Sequence, residues 1–241
     1  MLKHAQGEIG FVFIHGAGLN GQVWRKVIEG FEHPCLLVEF PLRRDSSHSR
    51  SRLSLEDYVA HMKRQVDEWE TRKIIIVAHS IGGVLALRLA SELADRLAGI
   101  VAVGAAIPKR RGSFLSILPI PQRLLLSVLL RTIGTKPPES ALRTGLCSDL
   151  SPDQAAEIVN GFIPEAVRLY TDRIDTSVPD VPKLYVKLTD DKELRPSLQN
   201  KMIANLSPQY VRSLATGHLP MISNPAGLRS ILEIFLSEAQ Q

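Results

Sequence analysis

Along the chain, short runs of apolar residues alternate with segments in which apolar positions recur every three or four residues. Residues 9–14, 35–40, 74–78, 99–103, 183–188 and 210–214 form the runs and are read as strands. Between them, 22–31 places Val23, Val27, Ile28 and Phe31 on one helical face, and 53–70 opens with Ser54 as a cap and Asp57 three residues on. Residues 84–93, 196–204 and 225–236 carry the same helical spacing. This alternation predicts an α/β fold, a mainly parallel sheet of about six strands with helices on both faces. It stops between 107 and 182, where helical patterns such as 122–131 and 151–160 are joined by prolines. The predicted organisation is therefore a core made of 1–106 and 183–241, with a helical cap inserted at 107–182 and folded over the strand ends.

The sharpest feature lies at 73–85, Lys-Ile-Ile-Ile-Val-Ala-His-Ser-Ile-Gly-Gly-Val-Leu, where a β-branched run gives way to a helix within about three residues. So tight a reversal strains the backbone at its apex, and Ala78 and Gly82 stand where larger side chains would collide. The match to G-x-S-x-G has Ala in first place and is weak alone, but strand before and helix after are the context that makes Ser80 a candidate nucleophile. The same turn leaves the N–H of Ile81 unpaired at a helix N-terminus, facing any negative charge that develops there.

Ligands of open parallel sheets bind at the carboxyl ends of the strands. The residues after the strands are His15-Gly16-Ala17-Gly18, His79-Ser80, Thr189-Asp190-Asp191 and Ala215-Thr216-Gly217-His218. Serine, acid and histidine thus occur in that order, each after a different strand. Asp190 and Asp191 compete for the acid's place. Of the seven histidines, His4, His33, His48 and His61 read as solvated, His15 and His79 read as structural rings beside small turn residues, and His218 alone follows the acid and precedes the last helix.

Composition narrows the field. At 241 residues and 44% hydrophobic content the chain can bury one large core. An excess of 29 basic over 25 acidic residues is too small to mark a nucleic-acid partner, and aromatics are not interleaved with the cations. Cys35 and Cys147 make neither a disulfide framework nor a metal cluster. The first residues hold no apolar core of signal-peptide length, so a cytoplasmic location is the default expectation. Residues 113–130 are the most apolar, yet Pro119, Pro121, Gln122 and Arg123 interrupt them, which falls short of a membrane span. Their leucines fit an apolar acyl pocket or, the favoured reading, simple packing of the cap onto the core. Docking of Lys109-Arg110-Arg111 and the following leucines on an anionic membrane surface is the least favoured.

Residues 11–24, Phe-Val-Phe-Ile-His-Gly-Ala-Gly-Leu-Asn-Gly-Gln-Val-Trp, resemble the oxyanion-loop segment of α/β-hydrolases, in particular the branch containing plant methyl esterases and hydroxynitrile lyases. Leu184-Tyr185-Val186-Lys187 running into Asp191, then Pro196 and Gln199, and Gly217-His218-Leu219-Pro220-Met221-Ile222-Ser223-Asn224-Pro225 support it. The resemblance covers both ends of the chain well and 106–170 poorly. It implies a cofactor-free hydrolase in which Ser80 attacks a carbonyl carbon, His218 moves the proton, Asp191 is the acid, and the N–H groups of Ala17 and Ile81 bind the oxyanion. The lyases place Lys after the triad histidine and Thr in the oxyanion loop; Leu219 and Gly16 stand here and favour an esterase. The expected reaction is cleavage of a small or moderately apolar carboxylic ester through an acyl-enzyme, with thioesters and amides left open. The alternative is a ligand sensor or interaction protein on the same scaffold. Oligomeric state is not legible.

Overall fold

In the computed structural model, which describes residues 9–43 and 47–239, the apolar runs become β1 (Ile9–Ile14), β2 (Cys35–Leu37), β3 (Lys73–His79), β4 (Leu97–Val103), β5 (Lys183–Leu188) and β6 (Tyr210–Leu214). They form one six-stranded sheet in the order β2-β1-β3-β4-β5-β6, and every neighbouring pair is parallel. Parallel partners need crossover connections, and the longer helices within them are α1 (Leu55–Asp67), α2 (Gly82–Leu93), α3 (Ile120–Thr132), α4 (Pro152–Gly161) and α5 (Pro196–Leu206), while α6 (Pro225–Ala239) follows the last strand.

Side chains alternate across each strand, so successive residues feed two different cores. Val12, Ile14, Ile76, Ala78 and Ala102 pack with Tyr58 and Met62 of α1 and with Leu85 and Leu89 of α2. Phe11, Phe13, Val77, Val101 and Val186 pack on the opposite face with Trp24 and with Leu228, Leu232 and Phe235 of α6. Burial on both faces is why these strands read as continuous apolar runs. Each buried Val, Leu, Ile, Phe or Met among them contributes about 1.5–3 kcal/mol. The register pairs Ile14 with Ala78 and Ala78 with Ala102, which brings the carboxyl ends of β1, β3 and β4 level along one edge.

Several expected boundaries shift for local reasons. The helix expected over 22–31 is a 3-10 turn, Gly21–Trp24, followed by a single α turn, Arg25–Ile28. Gly30, at φ +75°, ends it. The second strand stops at Leu37 because the Glu39 N–H and C=O bond the Gln65 side chain instead of a neighbouring strand. α1 begins after Ser54, whose hydroxyl and backbone N–H exchange hydrogen bonds with Asp57. The expected loop over 41–52 contains a short helix, Ser47–Ser51, and its residues 44–46, like His4 and the rest of 1–8, lie outside the described residues.

Segment 107–182 carries α3, α4 and the short helices Glu139–Thr144 and Val167–Thr171. α3 packs inward through Leu126 and Leu130, while Leu124, Leu125 and Val128 face solvent. The expectation that these leucines pack the segment onto the core therefore holds for one side of the helix only. Among the described residues no helix is long and apolar enough to cross a membrane.

Ile76 lies fully buried in β3, between β1 and β4. Ile76→Ala is expected to destabilise the protein by about 2–5 kcal/mol, read as a lower urea midpoint at unchanged slope. A loss under about 0.5 kcal/mol would contradict the packing described.

Candidate active site

β3 ends at His79 and α2 starts at Gly82, so Ser80 stands at the reversal, with φ of +54°. A non-glycine residue in the left-handed region costs of order 1–3 kcal/mol and persists only where its surroundings impose it. Here the Ser80 carbonyl accepts from Gly83 N–H at 3.1 Å and from Ala106 N–H at 2.8 Å, which holds the turn against the end of β4. A Cβ at position 82 would lie 2.9 Å from the His15 carbonyl oxygen, so the turn approaches β1 closely enough to require glycine.

The loop after β6 carries His218 to this turn. Its Nε2 is 3.0 Å from Ser80 Oγ and its Nδ1 is 2.8 Å from Asp191 Oδ2. Asp191, after β5, is held in turn: Oδ1 accepts the N–H groups of Glu193 and Leu194 at 2.8 and 3.0 Å, and Gln199 Nε2 lies 3.4 Å from Oδ2. With Nδ1 donating to a carboxylate, Nε2 presents its lone pair to the serine hydroxyl. Burial pushes the His218 imidazole down, but the Asp191 charge and hydrogen bond, helped by Glu193 and Asp149, outweigh it and leave the pKa above the ordinary 6.5.

The structure thus brings Ser80, Asp191 and His218 together and leaves Asp190 outside, exposed and bonded to Thr189. His79 and His15 are buried rings beside the turn. His79 Nε2 donates to the His218 carbonyl at 2.8 Å, and burial, then the charge of His218, holds its pKa well below 6.5. His15 Nδ1 donates to the Gly16 carbonyl, and burial, aided by Arg43, lowers its pKa to about 3. Both rings are therefore neutral near pH 7 and serve as rigid spacers.

Ala17 and Ile81 border the same cavity as Ser80, and neither N–H is hydrogen-bonded to a protein acceptor among the described residues. The next amide, Gly18 N–H, donates to Glu165 Oε1 at 3.3 Å, and its carbonyl accepts from Ile163 N–H at 3.0 Å. At φ +79°, with the Phe162 ring occupying the place where a Cβ would sit, position 18 must be glycine. Glu165 is buried, accepts from Tyr58 Oη at 3.0 Å and pairs with Arg43 Nη2 at 2.8 Å. This carboxylate locks the loop after β1 to segment 107–182. Asp149 does similar work beside His218, accepting from Gly217 N–H at 2.6 Å. Neither acid is marked by any strand end or motif in the sequence.

Over Ser80 lies a cavity of about 290 Å³. Phe114, Leu118, Leu126, Leu130, Phe162 and Tyr170 supply its apolar wall. Among the described residues no group of three or more His, Cys, Asp and Glu side chains could hold a metal ion.

Residues 11–231 match the model of the alpha/beta hydrolase family. The chain belongs to that family. Methylesterase 17 of Arabidopsis thaliana is 24% identical over 96% of this chain and 92% of its own length. A pimeloyl-acyl-carrier-protein methyl ester esterase of Vibrio vulnificus is 35% identical over 100 residues, covering 41% of this chain and 37% of that one. An extracellular α/β-hydrolase from a Paenibacillus species superposes with a TM-score of 0.79 at 17% identity, over 93% of this chain and 97% of that one, which shows the shared fold. The protein is a carboxylesterase-like α/β-hydrolase.

In an NMR titration, the His218 ring is expected to show a midpoint above 6.5. In Asp191→Asn the charge that raises it is gone and burial remains, so the midpoint should fall. Equal midpoints in the two proteins would contradict the electrostatics of this pair.

Proposed function

We propose that the protein hydrolyses carboxylic esters through a covalent acyl-enzyme on Ser80, with His218 as general base and acid and Asp191 as its orienting carboxylate. The observation that carries this reading is the 3.0 Å approach of His218 Nε2 to Ser80 Oγ at a strained strand-to-helix turn. Ser80 Oγ attacks the carbonyl carbon as its proton passes to Nε2. The negative charge that forms on the carbonyl oxygen is bound by the N–H groups of Ala17 and Ile81, donors that stabilise only the tetrahedral state. Collapse breaks the carbon–oxygen bond to the alcohol, which leaves with the proton held at Nε2. A water molecule, deprotonated by the same nitrogen, then attacks the acyl-enzyme and frees the acid and Ser80. Asp191 keeps its charge throughout and stabilises the imidazolium.

Segment 107–182 acts in this scheme as a cap, supplying the apolar wall against which the acyl group lies. A cavity of about 290 Å³ suits a small to medium acyl group rather than a long chain folded inside. Two of the relatives are named for methyl esters, which supports a small alcohol as the leaving group.

A fluorophosphonate probe reports an activated serine directly. The wild type is expected to label stoichiometrically and to turn over a short p-nitrophenyl ester, and folded Ser80→Ala should do neither. A wild type that stays unlabelled while folded would remove the hydrolase reading and leave the ligand-sensor alternative.

A further inference from the structure

α3 is apolar on two sides. Its inner side, through Leu126 and Leu130, helps to wall the cavity over Ser80. Its outer side leaves Leu124 62%, Leu125 61% and Val128 58% exposed, flanked by Ile120 and Ile133 at 71% each. With Leu129, residues 120–133 hold six of the nine large apolar side chains exposed among the described residues. An ordinary surface helix of this protein is different: α1 buries Leu55, Tyr58, Val59, Met62 and Val66.

The charge along the chain on either side of α3 is equally uneven. Residues 107–138 hold Lys109, Arg110, Arg111, Arg123, Arg131 and Lys136 and no Asp or Glu. The rest of the chain then has 23 of the 29 basic residues against all 25 acidic ones, so the net charge of +4 comes from this segment. Asp175 pairs with Arg110 and Arg111. Lys109, Arg123, Arg131 and Lys136 have no ion pair with a described carboxylate.

We propose that the outer side of α3 and the cations beside it dock the protein on an anionic bilayer, with α3 lying in the headgroup region. Helices of this kind bind through buried apolar area together with attraction to anionic lipid. A second copy of the chain would set six cations against six. An acidic protein would answer the cations but would need a shaped groove for the apolar residues, whereas a bilayer answers both without one. Because the inner side of the same helix walls the cavity, an apolar ester dissolved in the bilayer would reach Ser80 past α3. That last step rests on the function proposed above; the docking does not.

Flotation of the full chain with vesicles tests the docking, using pure phosphatidylcholine and an equal mixture of phosphatidylcholine and phosphatidylglycerol. Binding is expected to the mixed vesicles and to weaken with salt. Leu124→Ser/Leu125→Ser/Val128→Ser and Arg131→Glu/Lys136→Glu should each weaken it by roughly tenfold or more. Both variants should keep fluorophosphonate labelling and turnover of a water-soluble ester. Ser80→Ala should float like the wild type, so that failure of the chemistry and failure of the docking are separately visible. No binding to the mixed vesicles, or undiminished binding by both variants, overturns the proposal. A dimer in sedimentation that the triple serine variant dissociates, without vesicle binding, assigns the face to a second copy and overturns it as well.

Discussion

The left-handed backbone at Ser80 is the constraint on which the rest of the site depends. A parallel strand buried on both faces cannot present a side chain to solvent along its length, so a reactive group must stand where the strand ends. Reversal into α2 within the space of Ser80 and Ile81 does this and lifts the hydroxyl clear of the sheet. The surroundings impose the strain: the Ser80 carbonyl is tied to Ala106 and Gly83, and Gly82 lets the turn sit against the end of β1. The fold is thus organised so that β1, β3 and β4 end level and their loops meet at one point.

Electrostatics then decides how the groups meeting there behave. A histidine as buried as His218 would ordinarily stay neutral and be a poor acceptor for a proton. Asp191 reverses this, and two backbone N–H groups and Gln199 hold its carboxyl group in position. His79 has no carboxylate beside it, and for His15, whose Nε2 lies 3.9 Å from Glu39 Oε2, burial and then Arg43 prevail, so both are pushed the other way, which suits rings that fill space. Three buried imidazoles, each at or just past the end of a different strand, are thus set apart by how closely a carboxylate holds them.

Much of this was legible in the order of residues. The continuous β-branched runs announced a doubly covered parallel sheet, and the abrupt change of period at Ser80 announced the turn. Asp191 and His218 were legible because each follows a strand, although choosing Asp191 over Asp190 needed family spacing and then the 2.8 Å contact. Glu165 and Asp149 were not legible, since each acts across more than sixty residues of chain from a segment with no strand to frame it. The leucines of α3 were legible only in part, for a related reason. Periodicity reports which positions share a face, but a helix apolar nearly all round does not say which side the core will cover.

Whether Ser80 and His218 act as one unit is the central question, and a double-mutant comparison of kcat/KM on one ester addresses it most directly. Groups that serve a single proton transfer are non-additive: Ser80→Ala and His218→Ala should each lower the rate by about 10⁴-fold or more, and the double variant should lie within about tenfold of the slower single one. A double variant whose loss is the product of the two single losses, or a His218→Ala protein that keeps most of the wild-type rate, would contradict that coupling.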